Sequence, residues 1–388
     1  MWRRPVADET GGPPPSERPV LLVVEQLRRR VPGGIGRYAR SLLAGLAADG
    51  ASEVTLFASR VPGHSVGRIT PIADPLSAWG FPVRTSRLPG RVLTRAWDRG
   101  LAPPPPGYGL VHSVSLAVPP VAAGTKRLAT IHDLSWRRYP DATTARGRRW
   151  HEAALARALR KLDAFVVPSA AVADELVAAG ASPAAVSVIA WGGDHLPTPD
   201  RDGARLLLAR AGVTGPYLLS VSTLEPRKNL GRLAAAYAAA RDRLPEPWPL
   251  VVVGPRGWGG PALREPPPGV VPVGAVGDGV LAGLYAAARA FAYVPLTEGF
   301  GLPPLEAMAL GAPVVASETV PSTAPVDGAR SAWRVDPLDT EAIAEGLVRV
   351  ATDEGLRAEL VANGAARAGS RTWRAVAEDH RRLWASLS

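Results

Sequence analysis

Two glutamates enclose a stretch of glycine and proline in the second half of the chain, Glu298-Gly-Phe-Gly-Leu-Pro-Pro-Leu-Glu306. The preceding run, Ala290-Phe-Ala-Tyr-Val-Pro295, is apolar and is typical of a buried parallel strand. The glycines favour a turn after that strand, and the prolines stand where a helix would begin. The spacing therefore predicts one carboxylate at the carboxyl end of a strand and a second carboxylate in the next helix.

Residues at this edge of an open α/β sheet are well placed to bind a ligand. The N–H groups and the dipole at a helix N-terminus favour a phosphate group there. Carboxylates hold phosphate poorly, but they accept hydrogen bonds from neutral hydroxyls on either side of it. Glu298 and Glu306 therefore indicate a ligand with two sugars joined by a diphosphate, and the alternative is a helix cap plus an exposed helix position.

A second polar turn, Glu225-Pro-Arg-Lys-Asn229, follows the predicted strand Tyr217–Val221 and precedes a predicted helix. It places Arg227 and Lys228 as adjacent cations at the same edge of the sheet, where they can neutralise a diphosphate. A solvated charged turn is the alternative reading. Lysine occurs only three times in the chain, which favours a specific role for Lys228.

The first half of the chain has two further candidates. Gly33-Gly-Ile-Gly36 lies between a predicted strand and a helix, so it is either a loop that lets a ligand approach the backbone or a plain tight turn. His132 follows another predicted strand, where it could donate a hydrogen bond to a sugar hydroxyl or serve as a structural strand-end histidine.

The sequence predicts no metal site. Asp200-Arg-Asp202 resembles a motif that holds a divalent metal on a nucleotide diphosphate, but it lies in the Pro-rich segment 192–203, which we interpret as an interdomain linker. No other group of carboxylates or histidines has convincing metal-ligand spacing.

Length and composition indicate two domains in the cytoplasm. The chain has 388 residues, which is too long for one ordinary core, and no cysteine. It begins without a signal-peptide pattern and contains no apolar run long enough to span a membrane. The net charge of +10 suits phosphates, nucleic acid or anionic lipid alike, and the alternative explanation of the arginine-rich composition is a GC-rich genome.

Predicted strands and helices alternate along most of the chain, which indicates an α/β protein with two doubly wound parallel sheets facing a cleft. We predict a disordered tail at 1–18, a first domain at 19–195 and a second at 205–370. The stretch 60–108 is expected to be irregular. The last helix, 371–388, is expected to cross back to the first domain.

A basic segment in the first half offers a candidate surface. The segment 137–163, which includes the predicted helix 146–162, carries eight cations, and Trp136 and Trp150 lie beside and among them. It is either a peripheral contact with an anionic membrane or acceptor, or a merely solvated helix. No nucleic-acid-binding motif is present, so nucleic acid is not expected as a partner.

The motifs together resemble the retaining glycosyltransferases of family 4, which have the GT-B fold of two Rossmann-like domains. The resemblance rests on Ser222-Thr-Leu-Glu-Pro-Arg-Lys-Asn-Leu230, on the Glu-x7-Glu pattern with its continuation Ala-Met-Ala-Leu-Gly-Ala-Pro-Val-Val-Ala316, and on the segments at Gly33, Ile131 and Val335. It implies a metal-independent hexosyltransferase that uses a nucleotide-diphosphate sugar as co-substrate and no cofactor. Acceptors implied are glycans, lipid-linked glycans or small molecules.

The resemblance also implies roles for individual residues. Glu306 would hold the ribose, Glu298 and His132 would contact the donor sugar, and Arg227 and Lys228 would neutralise the leaving diphosphate. The remaining contacts to sugar or phosphate would come from Gly34, Gly299, Phe300, Gly301 and Leu302. The Glu-Pro-Arg-Lys-Asn variant occurs in relatives that use GDP-mannose, which favours a mannose-like donor.

Two departures separate this chain from the family pattern. Ser222-Thr223 stands where many relatives have Gly-Arg, and Ser322-Thr-Ala-Pro325 stands where they often have Leu-Pro-Glu. Ser222-Thr223 favours a non-catalytic subunit that binds a nucleotide sugar as one alternative, and a nucleotide-sugar epimerase or phosphorylase with the same architecture is another.

Overall fold

The computed structural model describes residues 19–29, 31–60, 74–255, 257 and 266–387. The chain forms two compact units. Of the described residues, those within 1–134, 145–191 and 373–388 form the first unit, and those within 135–144 and 192–372 form the second. The predicted tail at 1–18 lies outside the described residues.

The first unit is built on one parallel sheet. Its described strands are β1 (Val20–Val23), β2 (Val54–Ser59), β3 (Val83–Ser86), β4 (Leu110–Ser113), β5 (Lys126–Thr130), β6 (Ala164–Val167) and β7 (Val186–Val188), in the order β3-β2-β1-β4-β5-β6-β7. Its helices, numbered along the whole chain, are α1 (Gly33–Ala48), α2 (Gly90–Asp98), α4 (Ala145–Lys161), α5 (Ala170–Ala178) and α12 (Trp373–Leu387).

The second unit repeats this architecture with a sheet of its own. Its described strands are β8 (Leu218–Val221), β9 (Leu250–Val253), β10 (Val270–Gly274), β11 (Ala290–Tyr293), β12 (Val314–Ser317) and β13 (Trp333–Val335), in the order β10-β9-β8-β11-β12-β13. Its helices are α3 (Ser135–Arg138), α6 (Arg201–Arg210), α7 (Leu230–Ala240), α8 (Asp278–Ala287), α9 (Leu302–Ala309), α10 (Thr340–Thr352) and α11 (Glu354–Gly369).

Both sheets are doubly wound, which confirms the predicted fold class. In the first sheet β1 pairs with β2 on one side and with β4 on the other, all parallel. In the second sheet β8 pairs in the same way with β9 and β11. The order of strands therefore reverses at β1 and at β8, and ligands of such sheets bind outside the carboxyl ends of the strands at that point.

The prediction that the stretch 60–108 is irregular was wrong. This stretch contains β3 and α2, besides residues 61–73, which lie outside the described residues. β3 is a short edge strand whose residues are half-buried or exposed, so no apolar run marks it. α2 buries only Leu93 and Trp97, four residues apart, among polar neighbours, which is too little to reveal a helix in the sequence.

Two segments that the sequence interpretation treated as non-helical contain the first turn of a helix in the structure. The expected linker 192–203 ends in the first turn of α6, where the Asp200 carboxylate caps the helix by accepting from Gly203 N at 2.8 Å. The expected Gly-rich loop 33–36 is the first turn of α1. Asp200 therefore has a structural partner, and the glycine turn is part of the helix N-terminus.

The C-terminal helix α12 packs against α1 within the first unit. A Cβ on Gly45 would lie only 2.1 Å from the carbonyl oxygen of Trp373, so a residue without a side chain is required there. Arg381 adds ion pairs at 2.6 Å both to Asp49 and to Glu53. Close packing and paired charge thus hold the end of the chain on the first sheet.

Candidate active site

The candidate site of the second unit is formed by the two segments that follow β8 and β11. Asn229 has a left-handed backbone, with φ +57°, and its side-chain amide donates to Val294 O at 3.0 Å and to Pro337 O at 2.8 Å. The N–H of Leu296 donates to Arg227 O at 2.9 Å. These bonds fasten the predicted Glu225–Asn229 turn to the segment that carries Glu298.

Lys228, Tyr293 and Glu298 form a compact hydrogen-bonded group at this position. Lys228 Nζ donates to Glu298 Oε2 at 2.5 Å and to the Tyr293 hydroxyl at 2.7 Å. The Tyr293 hydroxyl in turn donates to Glu298 Oε2 at 2.6 Å. The ammonium has three donors, so one N–H of Lys228 has no acceptor among the described residues.

Arg227 binds the same carboxylate from another side. Its Nη1 lies 3.2 Å from Glu298 Oε2 and donates to Thr297 O at 3.1 Å, and its Nη2 donates to Glu225 Oε1 at 3.0 Å. Because these donors already have acceptors, Arg227 orients Glu298 in this structure. Lys228 is the better placed of the two predicted cations to bind an added phosphate.

The electrostatics keep Glu298 ionised. Burial alone would raise the pKa of this carboxyl, but the charges of Lys228 and Arg227 and the hydrogen bonds outweigh burial and hold the pKa well below its usual range. Burial and the nearby Glu298 raise the pKa of Tyr293, so its phenol stays protonated and acts as a donor. The carboxylate can therefore accept a hydrogen bond from a hydroxyl at neutral pH.

The turn into α9 presents backbone N–H groups. Gly301 has φ +98°, and a Cβ there would lie 2.4 Å from Val320 Cγ1, so glycine is required. Prolines occupy the next helical positions after Leu302 and carry no N–H. The N–H groups of Gly301 and Leu302 have no backbone acceptor among the described residues, so they are the donors available to a phosphate.

The loop that departs from the family pattern supports this turn. Ser322 Oγ donates to Gly301 O at 2.7 Å, and Ser322 N donates to Phe300 O at 2.8 Å. Phe300 belongs to the segment 299–302, which was predicted to contact sugar or phosphate. Its side chain is buried, so the ring faces the protein interior. Ser322 thus has a structural role that sequence reasoning did not assign.

Glu306 is buried, with a side chain only 2% exposed. His195 Nε2 lies 2.8 Å from Glu306 Oε1, and the Tyr285 hydroxyl donates to Oε2 at 2.9 Å. Both carboxylate oxygens therefore have partners in this structure, and the predicted ribose contact stays a prediction. Sequence reasoning missed His195, because it lies in the segment interpreted as a linker.

His132 lies directly after β5 at the carboxyl end of the first sheet. Its Nε2 is 2.8 Å from Val114 O, and because a carbonyl only accepts, Nε2 carries the proton. Burial lowers the pKa of the imidazole, so the neutral ring leaves Nδ1 as an acceptor, and Nδ1 is buried without a partner. In this structure the proton of the ring is therefore engaged by Val114 O, and the expected contact of His132 with a sugar hydroxyl stays a prediction.

The remaining candidates of the first unit are surface features. A Cβ on Gly34 would meet no atom within 4 Å, so its backbone is open to a ligand. On α4, Trp150 donates to Asp98 Oδ2 at 3.1 Å and Arg157 pairs with the same carboxylate. Trp150 thus anchors the helix, and the cations Arg146, Arg148, Arg149, Arg160 and Lys161 remain exposed.

No group of three or more His, Cys, Asp or Glu side chains among the described residues is arranged to hold a metal ion. None of the helices that the structure describes is both long and apolar enough to cross a bilayer. The predicted independence from metal stays a prediction.

Comparison with known proteins agrees with the geometry. The family model described as Glycosyltransferase Family 4 matches residues 32–195, and the model described as Glycosyl transferases group 1 matches residues 215–353. The O-antigen chain mannosyltransferase B of Escherichia coli is 35% identical over 191 residues, which cover 48% of this chain and 50% of that protein. The chain spans half or less of the length of the curated relatives it matches.

Solved structures share the fold. HepE of Anabaena, crystallised with UDP and glucose, has a TM-score of 0.68 and 18% identity, with 95% of this chain and 100% of HepE covered. Sucrose-phosphate synthase of Thermosynechococcus elongatus has a TM-score of 0.70 and 23% identity, with coverages of 95% and 99%. The two parallel sheets with these neighbours define the GT-B class of fold. With both family models matched, the chain belongs to glycosyltransferase family 4.

Proposed function

We propose that the protein transfers a hexose, with mannose favoured, from a nucleotide-diphosphate sugar to a hydroxyl of a glycan, lipid-linked or small-molecule acceptor, with retention of configuration. The observation that carries this proposal is the fastened group of Lys228, Tyr293 and Glu298 beside the N-terminus of α9. Similarity to an O-antigen mannosyltransferase supports mannose and polysaccharide biosynthesis.

The residues of this group have different roles in the proposed glycosyl transfer. Cleavage of the bond between sugar and phosphate places negative charge on the leaving diphosphate. Lys228 and the N–H groups of Gly301 and Leu302 offer fixed donors for that charge, a preorganised electrostatic stabilisation. The ionised Glu298 accepts a hydrogen bond from a hydroxyl of the donor sugar and so orients it. These donors would stabilise the leaving group without a metal ion.

The contact between Lys228 and the Glu298 carboxylate prepares the ammonium for phosphate binding. Glu298 and Tyr293 fix the ammonium before substrate arrives, so little side-chain entropy is lost when phosphate binds. In the proposed retaining reaction the acceptor attacks from the face that the diphosphate leaves, and the leaving phosphate takes the acceptor proton. This course needs no nucleophilic side chain.

A panel of donors with EDTA present tests the proposal. The protein is incubated with GDP-mannose, UDP-glucose and other nucleotide sugars together with candidate acceptors, and products are identified by mass spectrometry and anomeric configuration by NMR. We expect release of nucleotide diphosphate and an α-linked product from an α-linked donor. Isomerised sugar would instead identify an epimerase, and binding without release would identify a non-catalytic subunit.

The exposed cations of α4 support a further part of the proposal, peripheral contact with an anionic membrane. Arginine and lysine near an anionic surface contribute about 1 kcal/mol each at the membrane. Co-sedimentation with vesicles that contain phosphatidylglycerol tests this contact. Equal sedimentation of the wild type and of a variant with Arg146, Arg148 and Arg149 changed to Gln would contradict it.

A further inference from the structure

A cavity of about 780 Å³ opens on the second unit, away from the candidate active site. Its wall includes Tyr217, Arg289 and Gly311, which precede β8, β11 and β12 respectively. These positions are the amino ends of the strands, whereas Lys228 and Glu298 follow the carboxyl ends. The cavity and the candidate active site therefore lie at opposite edges of the same sheet.

The wall of the cavity is strongly basic. Its described lining contains four arginines and no aspartate or glutamate: Arg201, Arg205, Arg289 and Arg357. The acids nearest to them are exposed side chains outside the lining. Asp202, 3.3 Å from Arg205, is 85% exposed, and Glu354, which pairs with Arg289, is 72% exposed. Pairs as exposed as these are screened by water and neutralise the wall weakly.

Arg357 is the most unusual of these arginines. Its side chain is 18% exposed, and its Nε and Nη1 are buried without a hydrogen-bond acceptor. Nε lies 3.8 Å from Glu354 Oε2, which is too long for a hydrogen bond. Burial and the charge of Arg289 both lower the pKa of the guanidinium. A desolvated cation beside a second cation destabilises the folded chain unless an anion binds it.

We propose that this cavity is a second binding site, and that it takes a phosphate-bearing anion which pairs with Arg357 and Arg289. Phosphate oxygens are strong acceptors for guanidinium donors, and the unsatisfied Nε and Nη1 of Arg357 lie on different edges of the guanidinium, so a phosphate that enters would supply an acceptor to one of these edges. Leu208, Val213 and Tyr217 supply an apolar part of the wall for the uncharged portion of the ligand. The site is additional to the proposed transferase function, because none of its lining residues belongs to the candidate active site.

Inorganic phosphate and a short-chain phosphatidic acid below its micelle concentration are the two probes. Binding is measured by isothermal titration calorimetry on the full chain that carries Lys228→Met, which weakens phosphate binding at the candidate active site. We expect saturable binding of at least one probe. Tighter binding of the lipid than of the ion would identify a lipid phosphate, and the reverse would identify a free phosphate.

Arg357→Met in the same background keeps an unbranched apolar side chain in place of the aliphatic part of the arginine and removes its charge. We expect at least a tenfold loss of probe affinity, together with unchanged or higher melting temperature without ligand, because a largely buried cation with two unsatisfied donors has been removed. Arg330→Met, at an exposed arginine outside the cavity, is the matched control and should bind as before. Arg357→Lys keeps the charge but loses the fork and should bind more weakly than the arginine.

The proposal is overturned if neither probe binds, or if Arg357→Met binds the probe as tightly as its parent. A lower melting temperature of Arg357→Met with unchanged affinity would show that this arginine is merely structural. If Arg357→Met does not fold, Arg357→Lys alone decides the question, and unaltered affinity in that variant would likewise overturn the proposal.

Discussion

Replacement of Lys228 by methionine separates catalysis from folding at the candidate active site. The change removes the ammonium but keeps most of the volume of the side chain. Glu298 loses the contact at 2.5 Å and retains the Tyr293 hydroxyl at 2.6 Å and Arg227 at 3.2 Å. The carboxylate therefore stays partnered, and its orientation should survive the substitution.

The magnitudes of the two effects follow from these contacts. Removal of one partner from a buried charged group that keeps others costs about 1–3 kcal/mol in the free energy of unfolding. Loss of one preorganised donor to a developing anion raises the barrier by about 3 kcal/mol, which lowers kcat roughly a hundredfold or more. The pKa of Glu298 should rise towards its ordinary value, because the charge of Lys228 is the largest influence that lowers it.

The assay is release of nucleotide diphosphate from the donor that the panel identifies, at saturating donor and acceptor. Urea unfolding of the same preparation gives the free energy of unfolding. Lys161→Met is the matched control, since Lys161 is an exposed lysine at the end of α4. We expect that control to match the wild type in both measurements.

One result would refute the reasoning about Lys228. If Lys228→Met is folded and its kcat lies within about threefold of the wild-type value, this lysine does not stabilise the leaving group. Arg227 would then be the remaining candidate cation, and Arg227→Met would be the next variant to measure.

Two further predictions concern stability. Gly301→Ala should lower the free energy of unfolding by about 2–4 kcal/mol, because its Cβ would overlap Val320. Gly311→Ala is also at positive φ but has open space around it, so it should lower the free energy of unfolding by only about 1 kcal/mol. Equal losses for the two variants in urea unfolding would contradict the overlap argument. Burial, then the neighbouring His380, lowers the pKa of His112, so the unfolded chain binds a proton below about pH 6.5 that the folded chain does not. The contribution of His112 to the free energy of unfolding should therefore be fully present above that pH. Below it the free energy of unfolding should fall by up to about 1.4 kcal/mol per pH unit, before Glu298 titrates. Identical urea unfolding at pH 7.5 and 5.5 would disprove this.

The strongest sequence predictions were those in which local pattern and tertiary role coincide. The apolar run 290–294, the glycine turn and the prolines after it were interpreted as strand, turn and helix, and the structure has β11 and α9 there. A strand buried on both faces must be apolar throughout, so the apolar run in the sequence predicts the strand. By contrast, β3 and α2 were missed, because an exposed edge strand and a helix with two buried residues leave no such pattern.

Partners from distant parts of the chain were beyond sequence reasoning. His195 lies 111 positions from Glu306, and its pairing with that carboxylate depends on the path of a segment without regular structure. Tyr293 was interpreted only as part of an apolar strand, although its hydroxyl is a donor to Glu298. The proton on Nε2 of His132 was likewise undecided until Val114 O was found opposite it.

The sequence alone determined the class of the protein: alternating strands and helices, the cations Arg227 and Lys228 after one strand and the Glu-x7-Glu pattern after another. These features are local, since each depends on the periodicity and turn chemistry of a few neighbouring residues. Only the tertiary structure decided which acids Arg227 and Lys228 contact, which carboxylate is buried, and that Nε and Nη1 of Arg357 lack a hydrogen-bond acceptor. Those outcomes depend on which distant groups come within about 3 Å of one another, and spacing along the chain does not encode that distance.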